Sequence, residues 1–353
     1  MTCDNITIER SEWGTTSAHP PYHRYTLRNE QGVTVSVSDL GASLVSWLAP
    51  DQTGQFADIV LGFDTPDDYL QSSTHMGGTI GRVANRIAGA RFDLDGRAYT
   101  LEPNDGANTL HGGWRGYDRA LWQATMHASG VRFEHTSPDG DSGFPGKLTV
   151  SVDYRLDAKG ALRIDYTAET DAPTPLNLTC HPYFNLAGHG TALDHLVQVN
   201  AVSVLVTDAT GIPNAIIDVE GTALDFQIPA RLRERVASDE PAIRAVGGID
   251  HCFVLRDPPS FDGTLRDVAW ASDPTSGRRL SIATTQPGLQ VYTATNLEGI
   301  VSRNGQHHHR FDAVCFEAQG WPNQINSSDG EACVLRPGKT YRETTVYRVD
   351  IAG

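Results

Sequence analysis

The feature that most constrains this chain is an alternation of apolar and polar residues with a period of two. Every second residue is apolar across residues 147–156, and residues 161–168 repeat the pattern. Such alternation is typical of strands with one buried face. Turn-forming residues at 157–160 separate these two strands, and Asp95-Gly96 separates two shorter ones, so the sequence predicts antiparallel hairpins.

Strands outnumber helices along the whole chain. Helical signals are confined to residues 65–70, where Pro66 suits the first turn, and to residues 231–235. The sequence therefore predicts an all-β fold, a large and mostly antiparallel β-sandwich with few short helices, as a single domain over residues 1–353. Further strands are predicted at residues 33–37, 43–48, 59–63, 131–135, 196–200, 280–284, 289–293, 314–317 and 341–349.

Composition excludes several classes of protein. The formal net charge of -15 argues against a nucleic-acid partner, because such proteins need basic surfaces that neutralise phosphate. No apolar run is long enough to span a membrane, and residues 1–23 lack the apolar core of a signal peptide. Five widely spaced cysteines without a C-x-x-C pattern suit reduced thiols. We expect a cytoplasmic protein.

Hydrogen-bonding residues concentrate in five segments that are far apart in sequence. Glu317 interrupts an apolar strand, where a carboxylate costs free energy unless it is paired or functional. Taken alone, the arginines fit a surface role, and His111 and Asp250 fit turns equally well, whereas the segment with His181 favours a functional role. Taken together, they suit acid-base chemistry on a polyhydroxylated substrate. The segments are residues 81–87, 108–113, 177–186, 248–254 and 314–323.

These segments, together with residues 290–293, resemble the galactose mutarotase family in order and spacing over nearly the whole chain. The motif Asn-Leu-Thr-x-His-x-Tyr-Phe-Asn-Leu starts at Asn177, Leu-His-Gly-Gly starts at Leu110, and Asp-His-x-Phe starts at Asp250. The resemblance implies an aldose 1-epimerase with Glu317 as catalytic base and His181 as catalytic acid. The other residues that it implies in sugar binding are Asn85, Arg86, Arg82, His111, Tyr183, Asp250 and Gln290.

The same resemblance implies an open sugar cleft on a β-sandwich, a free monosaccharide as ligand, no metal and no organic cofactor. The chain departs from the family pattern at Cys180, Pro182 and Thr295-Asn296. These departures leave the preferred sugar open, between galactose- or glucose-type aldoses and another sugar. Whether the protein is a monomer or a homodimer is also open.

Ordinary pKa values of about 4.3 for glutamate and 6.5 for histidine predict an ionised Glu317 and a partly protonated His181 near neutral pH. Asp250 is expected to raise the pKa of His181. The main alternative is a non-catalytic carbohydrate-binding sandwich. Others are a hexose-phosphate epimerase, which needs a basic phosphate site, and a metal-dependent sugar isomerase or lyase. The metal ligands in that last alternative are His111, His181, His251 and Asp250, whereas residues 307–309 are predicted to form an exposed loop.

Overall fold

The computed structural model describes residues 5–16, 19–256 and 264–352. Its largest sheet has nine strands, and every neighbouring pair is antiparallel. In spatial order these strands are Gln123–His127, Gly130–Ser137, Leu148–Leu156, Leu162–Thr170, Tyr341–Ile351, Arg278–Thr284, Arg266–Ser272, Leu196–Val199 and Ala230–Arg231.

Two further antiparallel sheets have six and five strands. The six-stranded sheet consists, in spatial order, of Tyr183–Phe184, Val314–Gln319, Gly288–Tyr292, Asp250–Leu255, Ala201–Thr207 and Pro213–Asp218. The five-stranded sheet consists of Thr7–Thr16, His19–Arg28, Thr34–Ser38, Ser43–Pro50 and Phe56–Asp58.

The remaining strands form four short pairs, and the helices of the described residues are also short. The pairs are Thr79–Ile80 with Thr179–Cys180, Arg86–Ile87 with Thr109–Leu110, Arg91–Leu94 with Arg97–Thr100, and Thr174–Pro175 with Val334–Leu335. The α-helices are Pro66–Gln71, Leu232–Val236 and Pro241–Val246. The 3-10 turns are Ala88–Ala90, Tyr117–Arg119, Asp141–Gly143, Arg303–Gly305, Gln324–Asn326 and Gly330–Cys333.

The largest apolar core of the described residues lies between the sheets. Tyr347 of the nine-stranded sheet donates a hydrogen bond to the carbonyl of Phe316 in the six-stranded sheet, at 2.7 Å. Tyr25 of the five-stranded sheet packs edge-on against Phe133 of the nine-stranded sheet, with ring centroids 5.7 Å apart. The large sheet therefore covers both smaller sheets, which makes a sandwich with side chains of all three in its core.

The predicted alternation is confirmed. The apolar residues of Leu148–Leu156 and Leu162–Thr170 are buried, and the two strands pair as the predicted antiparallel hairpin. The helix predicted at residues 65–70 begins at Pro66, where the Thr65 hydroxyl and the Asp68 carboxylate cap each other's backbone N–H groups. The sequence signals of Pro241–Val246, a proline at its start and Gly247 after its end, were missed.

The strand predicted at residues 59–63 was wrong. Val60 makes only an isolated bridge to Phe184, because this segment leaves the five-stranded sheet and crosses to the edge of the six-stranded one. The loop predicted at residues 307–309 is exposed at its ends, but His308 is buried and bonds to the Ser302 hydroxyl at 2.5 Å. Burial of that imidazole is offset by the hydrogen bond.

The cysteines of the described residues carry free thiols, at Cys180, Cys252, Cys315 and Cys333, whereas Cys3 lies outside the described residues. This agrees with the expectation of reduced cysteines for the four that are described. No described helix combines the length and the apolar character needed to cross a bilayer.

Candidate active site

Three neighbouring strands of the six-stranded sheet present polar side chains to one face. Glu317 on Val314–Gln319 lies directly opposite Gln290 on Gly288–Tyr292, and Asp250 on the next strand lies opposite Tyr292. Residues in register on adjacent strands share a face of the sheet, so these side chains are neighbours. Tyr183 extends the group on the other side of Glu317, since its strand pairs with Cys315.

A second set of polar residues comes from a short strand pair beside the sheet. Arg86 pairs with Leu110, which places Asn85 next to His111. The backbone N–H of Asn85 donates to the ring nitrogen Nδ1 of His111 at 3.1 Å, and the backbone N–H of His111 donates to the Asn85 carbonyl at 3.0 Å. His111 has a φ of 52°, and Gly112 follows it where an added Cβ would lie 1.9 Å from the Gly81 carbonyl oxygen. The two glycines after His111 thus allow a backbone turn that aims the imidazole.

The two sets face each other across a cavity of about 260 Å³. Of the nine site residues predicted from the sequence, eight line it. They are Asn85, Arg86, His111, His181, Tyr183, Asp250, Gln290 and Glu317. A second cavity of about 420 Å³ shares Asn85, Arg86, Asp250 and Gln290 and continues the cleft beside the strand Ala201–Thr207.

Arg82 is the exception, and its predicted contact with the sugar is not supported by its position. Its guanidinium is buried and donates to the Pro145 carbonyl at 2.7 Å, the Thr174 hydroxyl at 3.0 Å and the Ser137 hydroxyl at 2.8 Å. A further bond reaches the Pro138 carbonyl at 3.0 Å. These partners fix loops around the nine-stranded sheet, so Arg82 has a structural place in the core.

Several lining residues were not predicted to bind substrate. Tyr292 follows Gln290 by two positions on one strand, and the strand period was a signal that could have identified it. His75 lies in a turn whose sequence carries no motif, and only the fold brings it to the cleft. The unpredicted lining residues are Ser73, Thr74, His75, Leu110, Tyr292, Thr295 and Asn296.

His181 and Glu317 form the centre of the cavity. The distance from His181 Nε2 to Glu317 Oε1 is 3.6 Å, and both side chains are buried. Burial raises the pKa of Glu317 well above its ordinary value, and the nearby Asp250 carboxylate raises it further. Burial lowers the pKa of His181 to about 3, and the neighbouring His75 also lowers it. The pair therefore holds one proton between two groups whose charged forms are both disfavoured.

This electrostatic picture corrects the expectation from ordinary pKa values. An ionised Glu317 beside a partly protonated His181 does not describe this buried pair, because burial acts against both charges. The carboxylate that raises the pKa of His181 is Asp118 rather than Asp250. Asp250 itself has a raised pKa, mainly through burial, and it accepts a hydrogen bond from Gln290 Nε2 at 2.6 Å.

Three polar atoms of the lining residues are buried without a hydrogen-bond partner among the described residues. They are His181 Nδ1, Gln290 Oε1 and Glu317 Oε2. Leaving such a group unpaired costs about 1–3 kcal/mol. Tyr183 is more fully paired, since its hydroxyl donates to the Thr74 carbonyl at 2.9 Å, and its ring stacks on His181 with centroids 5.1 Å apart. The cavity therefore favours a ligand rich in hydroxyl groups.

Donor atoms of His111, His181 and Glu317 all lie within 4.8 Å of one another, so these residues could hold a divalent cation. The ligand set of the metal alternative is not assembled, however. His251 lies on the opposite face of its strand from Asp250, and its Nδ1 accepts a hydrogen bond from the Asp250 backbone N–H at 3.1 Å. The same three residues also suit metal-free proton transfer.

Known proteins are similar to this chain over most of its length. The sequence model of the family described as aldose 1-epimerase matches residues 23–348. Galactose mutarotase of Rattus norvegicus is 38% identical over 335 residues, which cover 93% of this chain and 94% of that protein. Aldose 1-epimerase of Escherichia coli K12 is 36% identical over 336 residues, covering 93% and 95%.

Solved structures give the same result. Galactose 1-epimerase from Lactobacillus acidophilus superposes with a TM-score of 0.86 at 27% identity, covering 99% of this chain and all of that one. An aldose epimerase homologue from C. elegans superposes with a TM-score of 0.85 at 30% identity, covering 92% and 97%. From its sequence, its sandwich fold and these relatives, the chain belongs to the aldose 1-epimerase family.

Proposed function

We propose that this protein is an isomerase that interconverts the α and β anomers of a free aldose, with Glu317 and His181 moving the protons. The observation that carries the proposal is the buried Glu317–His181 pair at 3.6 Å, inside a cavity lined by hydroxyl-binding side chains. An acid and a base in contact are what the reaction requires. Family membership supports the reaction type.

The chemistry needs two proton transfers. Glu317 removes the proton of the C1 hydroxyl while His181 protonates the ring oxygen, and the bond between C1 and the ring oxygen breaks to give the open aldehyde. Rotation about the bond between C1 and C2 presents the other face of the carbonyl. Ring closure returns a proton from Glu317 to the C1 oxygen and from the ring to His181, so both groups end as they began.

Substrate binding prepares the pair for these transfers. The reaction starts from an ionised Glu317 and a protonated His181, whereas burial favours their uncharged forms. Sugar hydroxyls that donate to Glu317 Oε2 stabilise its charge, and the ring oxygen accepts from the imidazolium. The proton then shifts within the pair without exchange with solvent. Because only protons move and only the bond between C1 and the ring oxygen breaks, this scheme needs no organic cofactor.

The other lining residues bind and orient the sugar. The Asp250–Gln290 pair and the Arg86 guanidinium offer acceptors and donors to adjacent hydroxyls, and Asn85 holds the His111 ring from its backbone. Tyr183 fixes the orientation of the His181 ring by stacking on it, with an angle of 14° between the two ring planes.

The shared apolar core supports a single domain, and we propose a cytoplasmic monomer or homodimer that acts on a monosaccharide.

Polarimetry tests the proposal. Freshly dissolved α-D-galactose, α-D-glucose, L-arabinose and D-xylose are followed with wild type, with Glu317→Gln, and with Glu134→Gln, an exposed control on the nine-stranded sheet. Loss of the base lowers kcat by roughly 10²- to 10⁴-fold, whereas the control keeps wild-type activity. Full activity in Glu317→Gln would sink the assignment.

The same assay separates the alternatives. If the protein only binds carbohydrate, the wild type binds these sugars but does not accelerate the mutarotation of any of them. A metal-dependent enzyme loses activity on chelation and regains it with added zinc or manganese, whereas the proposed mechanism predicts the same rate before and after chelation. Metal content is measured alongside, because exposed His307 and His309 are adventitious ligands.

A further inference from the structure

His75 lines the cavity but has no part in the mechanism above. It lies in a turn whose backbone is hydrogen-bonded to that of His181, directly after the strand Thr179–Cys180. The Gly77 N–H donates to the His181 carbonyl at 2.8 Å, and the His181 N–H donates to the Gly78 carbonyl at 3.0 Å. The His75 ring is roughly parallel to that of His181, with centroids 6.4 Å apart. Its position is therefore set by the same backbone that sets the catalytic histidine.

The tautomer of His75 follows from its partner. Its Nδ1 lies 2.8 Å from Asp118 Oδ2, and an ionised carboxylate only accepts hydrogen bonds. Although burial acts to raise the pKa of Asp118, its contact with His75 and the charge of Arg119 lower the pKa below its ordinary value. The proton of a neutral His75 consequently sits on Nδ1. Nε2 is left with a lone pair that accepts a hydrogen bond.

Asp118 has little freedom to move. A Cβ added at Gly78 would lie 2.5 Å from the Asp118 Cβ, and one added at Gly116 would lie 2.6 Å from Oδ1. Both distances are shorter than Cβ atoms in proteins adopt, so only glycine at positions 78 and 116 leaves room for the Asp118 carboxylate in this position. Asp118 therefore acts as a positioning residue for His75.

His111 has the opposite tautomer. Its Nδ1 accepts the Asn85 backbone N–H, so the proton of the neutral ring is on Nε2, which donates. A ring nitrogen that accepts an N–H belongs to a neutral imidazole, and burial agrees with this because it lowers the pKa of His111 well below its ordinary value. The rings of His75 and His111 meet edge to face with centroids 4.8 Å apart. Two neighbouring rings of the cavity wall, one with an accepting and one with a donating Nε2, are thus in contact.

We propose that His75 and His111 together bind one sugar hydroxyl, which donates its proton to His75 Nε2 and accepts a hydrogen bond from His111 Nε2. A hydroxyl is one donor and one acceptor, and the two tautomers match both. The identity of that hydroxyl rests on the proposed function, which directs C1 to Glu317 and the ring oxygen to His181. The other carbon on the ring oxygen is C5, which lies on the His181 side where His75 and His111 line the cavity.

The bound group is then the 6-hydroxyl carried on C5 of a hexose. This makes His75 a specificity-determining residue that favours hexoses over pentoses and over 6-deoxy sugars. Losing a hydrogen-bonded hydroxyl from a site with two fixed partners leaves both unpaired, which corresponds to roughly a 10- to 30-fold loss in kcat/KM. L-arabinose and D-fucose, which lack C6 and the 6-hydroxyl of D-galactose respectively, are the matched substrates.

Polarimetric kcat/KM is measured for D-galactose, D-fucose and L-arabinose with wild type, His75→Phe and His127→Phe. His127 is a matched control, because it also contacts an aspartate, Asp153, at 2.8 Å but lies on the nine-stranded sheet. We expect wild type and His127→Phe to prefer D-galactose by roughly 10-fold or more. His75→Phe should lose that preference through a slower reaction with D-galactose alone, while D-fucose changes less than about twofold.

Other results overturn the inference. An equal loss on D-galactose and D-fucose in His75→Phe means that His75 supports the acid-base pair or the fold instead. Equal wild-type rates with the two sugars refute the hydroxyl pair even if His75→Phe fails to fold. If wild type accelerates no sugar, the proposed function is wrong, and calorimetric affinities for D-galactose and D-fucose still decide the binding pair: equal affinities refute it, and a roughly 10-fold preference supports it.

Discussion

Two arginines four positions apart offer a direct test of the site. Arg82 and Arg86 belong to one motif, and both were expected to contact substrate. Arg82 is buried in the core, whereas Arg86 lines the cleft and its Nε bonds to Asp105 at 2.6 Å. The substitutions Arg82→Met and Arg86→Met are the same chemical change. They should damage different properties of the protein.

The size of each effect follows from the contacts. Arg82→Met leaves the Pro145 and Pro138 carbonyls without their donor, and about 1–3 kcal/mol for each gives a loss of about 2–6 kcal/mol in the free energy of unfolding. Total stabilities of about 5–15 kcal/mol make this a large fraction. Arg86→Met removes a partly exposed ion pair and costs below about 1 kcal/mol. Its lost bonds to sugar hydroxyls lower kcat/KM by roughly 10- to 100-fold.

Urea unfolding followed by intrinsic fluorescence measures stability, and polarimetry with D-galactose measures kcat and KM on the folded protein. We expect Arg82→Met to unfold at a much lower urea concentration but to keep a wild-type KM while folded. Arg86→Met should show the reverse. A wild-type urea midpoint with a raised KM in Arg82→Met would refute the structural assignment and restore the prediction from sequence.

Two further predictions concern stability. Because burial raises the pKa of Glu317, the stability that its protonated form contributes is present below about pH 4.5 and is lost as pH rises towards the folded pKa. Glu317→Gln cannot ionise, so its stability relative to wild type should increase from pH 5 to pH 8. If the urea midpoints of the variant and wild type differ by the same amount at pH 5 and at pH 8, this reasoning is wrong. Gly112→Ala should lower stability by more than about 1 kcal/mol, since its Cβ would meet the Gly81 carbonyl. Gly140→Ala, with a similar φ and open space, is the control, and equal losses in the two variants argue against a clash.

Local patterns in the sequence were sufficient for much of the fold. The period of two identified the buried faces of Leu148–Leu156 and Leu162–Thr170, and Asp95-Gly96 identified a hairpin whose two turn residues both have positive φ. The pattern at residues 59–63 also looked like a strand. It could not reveal that this segment changes sheets, because sheet membership depends on contacts far away in sequence.

The candidate site was only partly accessible for the same reason. Motifs named the polar residues but not the direction of each side chain, and Arg82 and Arg86 are indistinguishable until the chain is folded. His75 carries no local signal, since its importance comes from Asp118 and His111, which are 43 and 36 positions away in the sequence. Ordinary pKa values failed at His181 and Glu317 because burial is a property of the fold.

The register that places Gln290 opposite Glu317 limits how this protein can diverge. A one-residue insertion in the strand Val314–Gln319 would turn the carboxylate into the apolar core and bring Phe316 or Ala318 to the cleft, which would end catalysis at once. The turn that carries Thr295 and Asn296 also lines the cleft but belongs to none of these strands, so its length is not tied to their register. New sugar preferences should therefore arise through changes of length and composition in that turn, while the three strands keep their spacing.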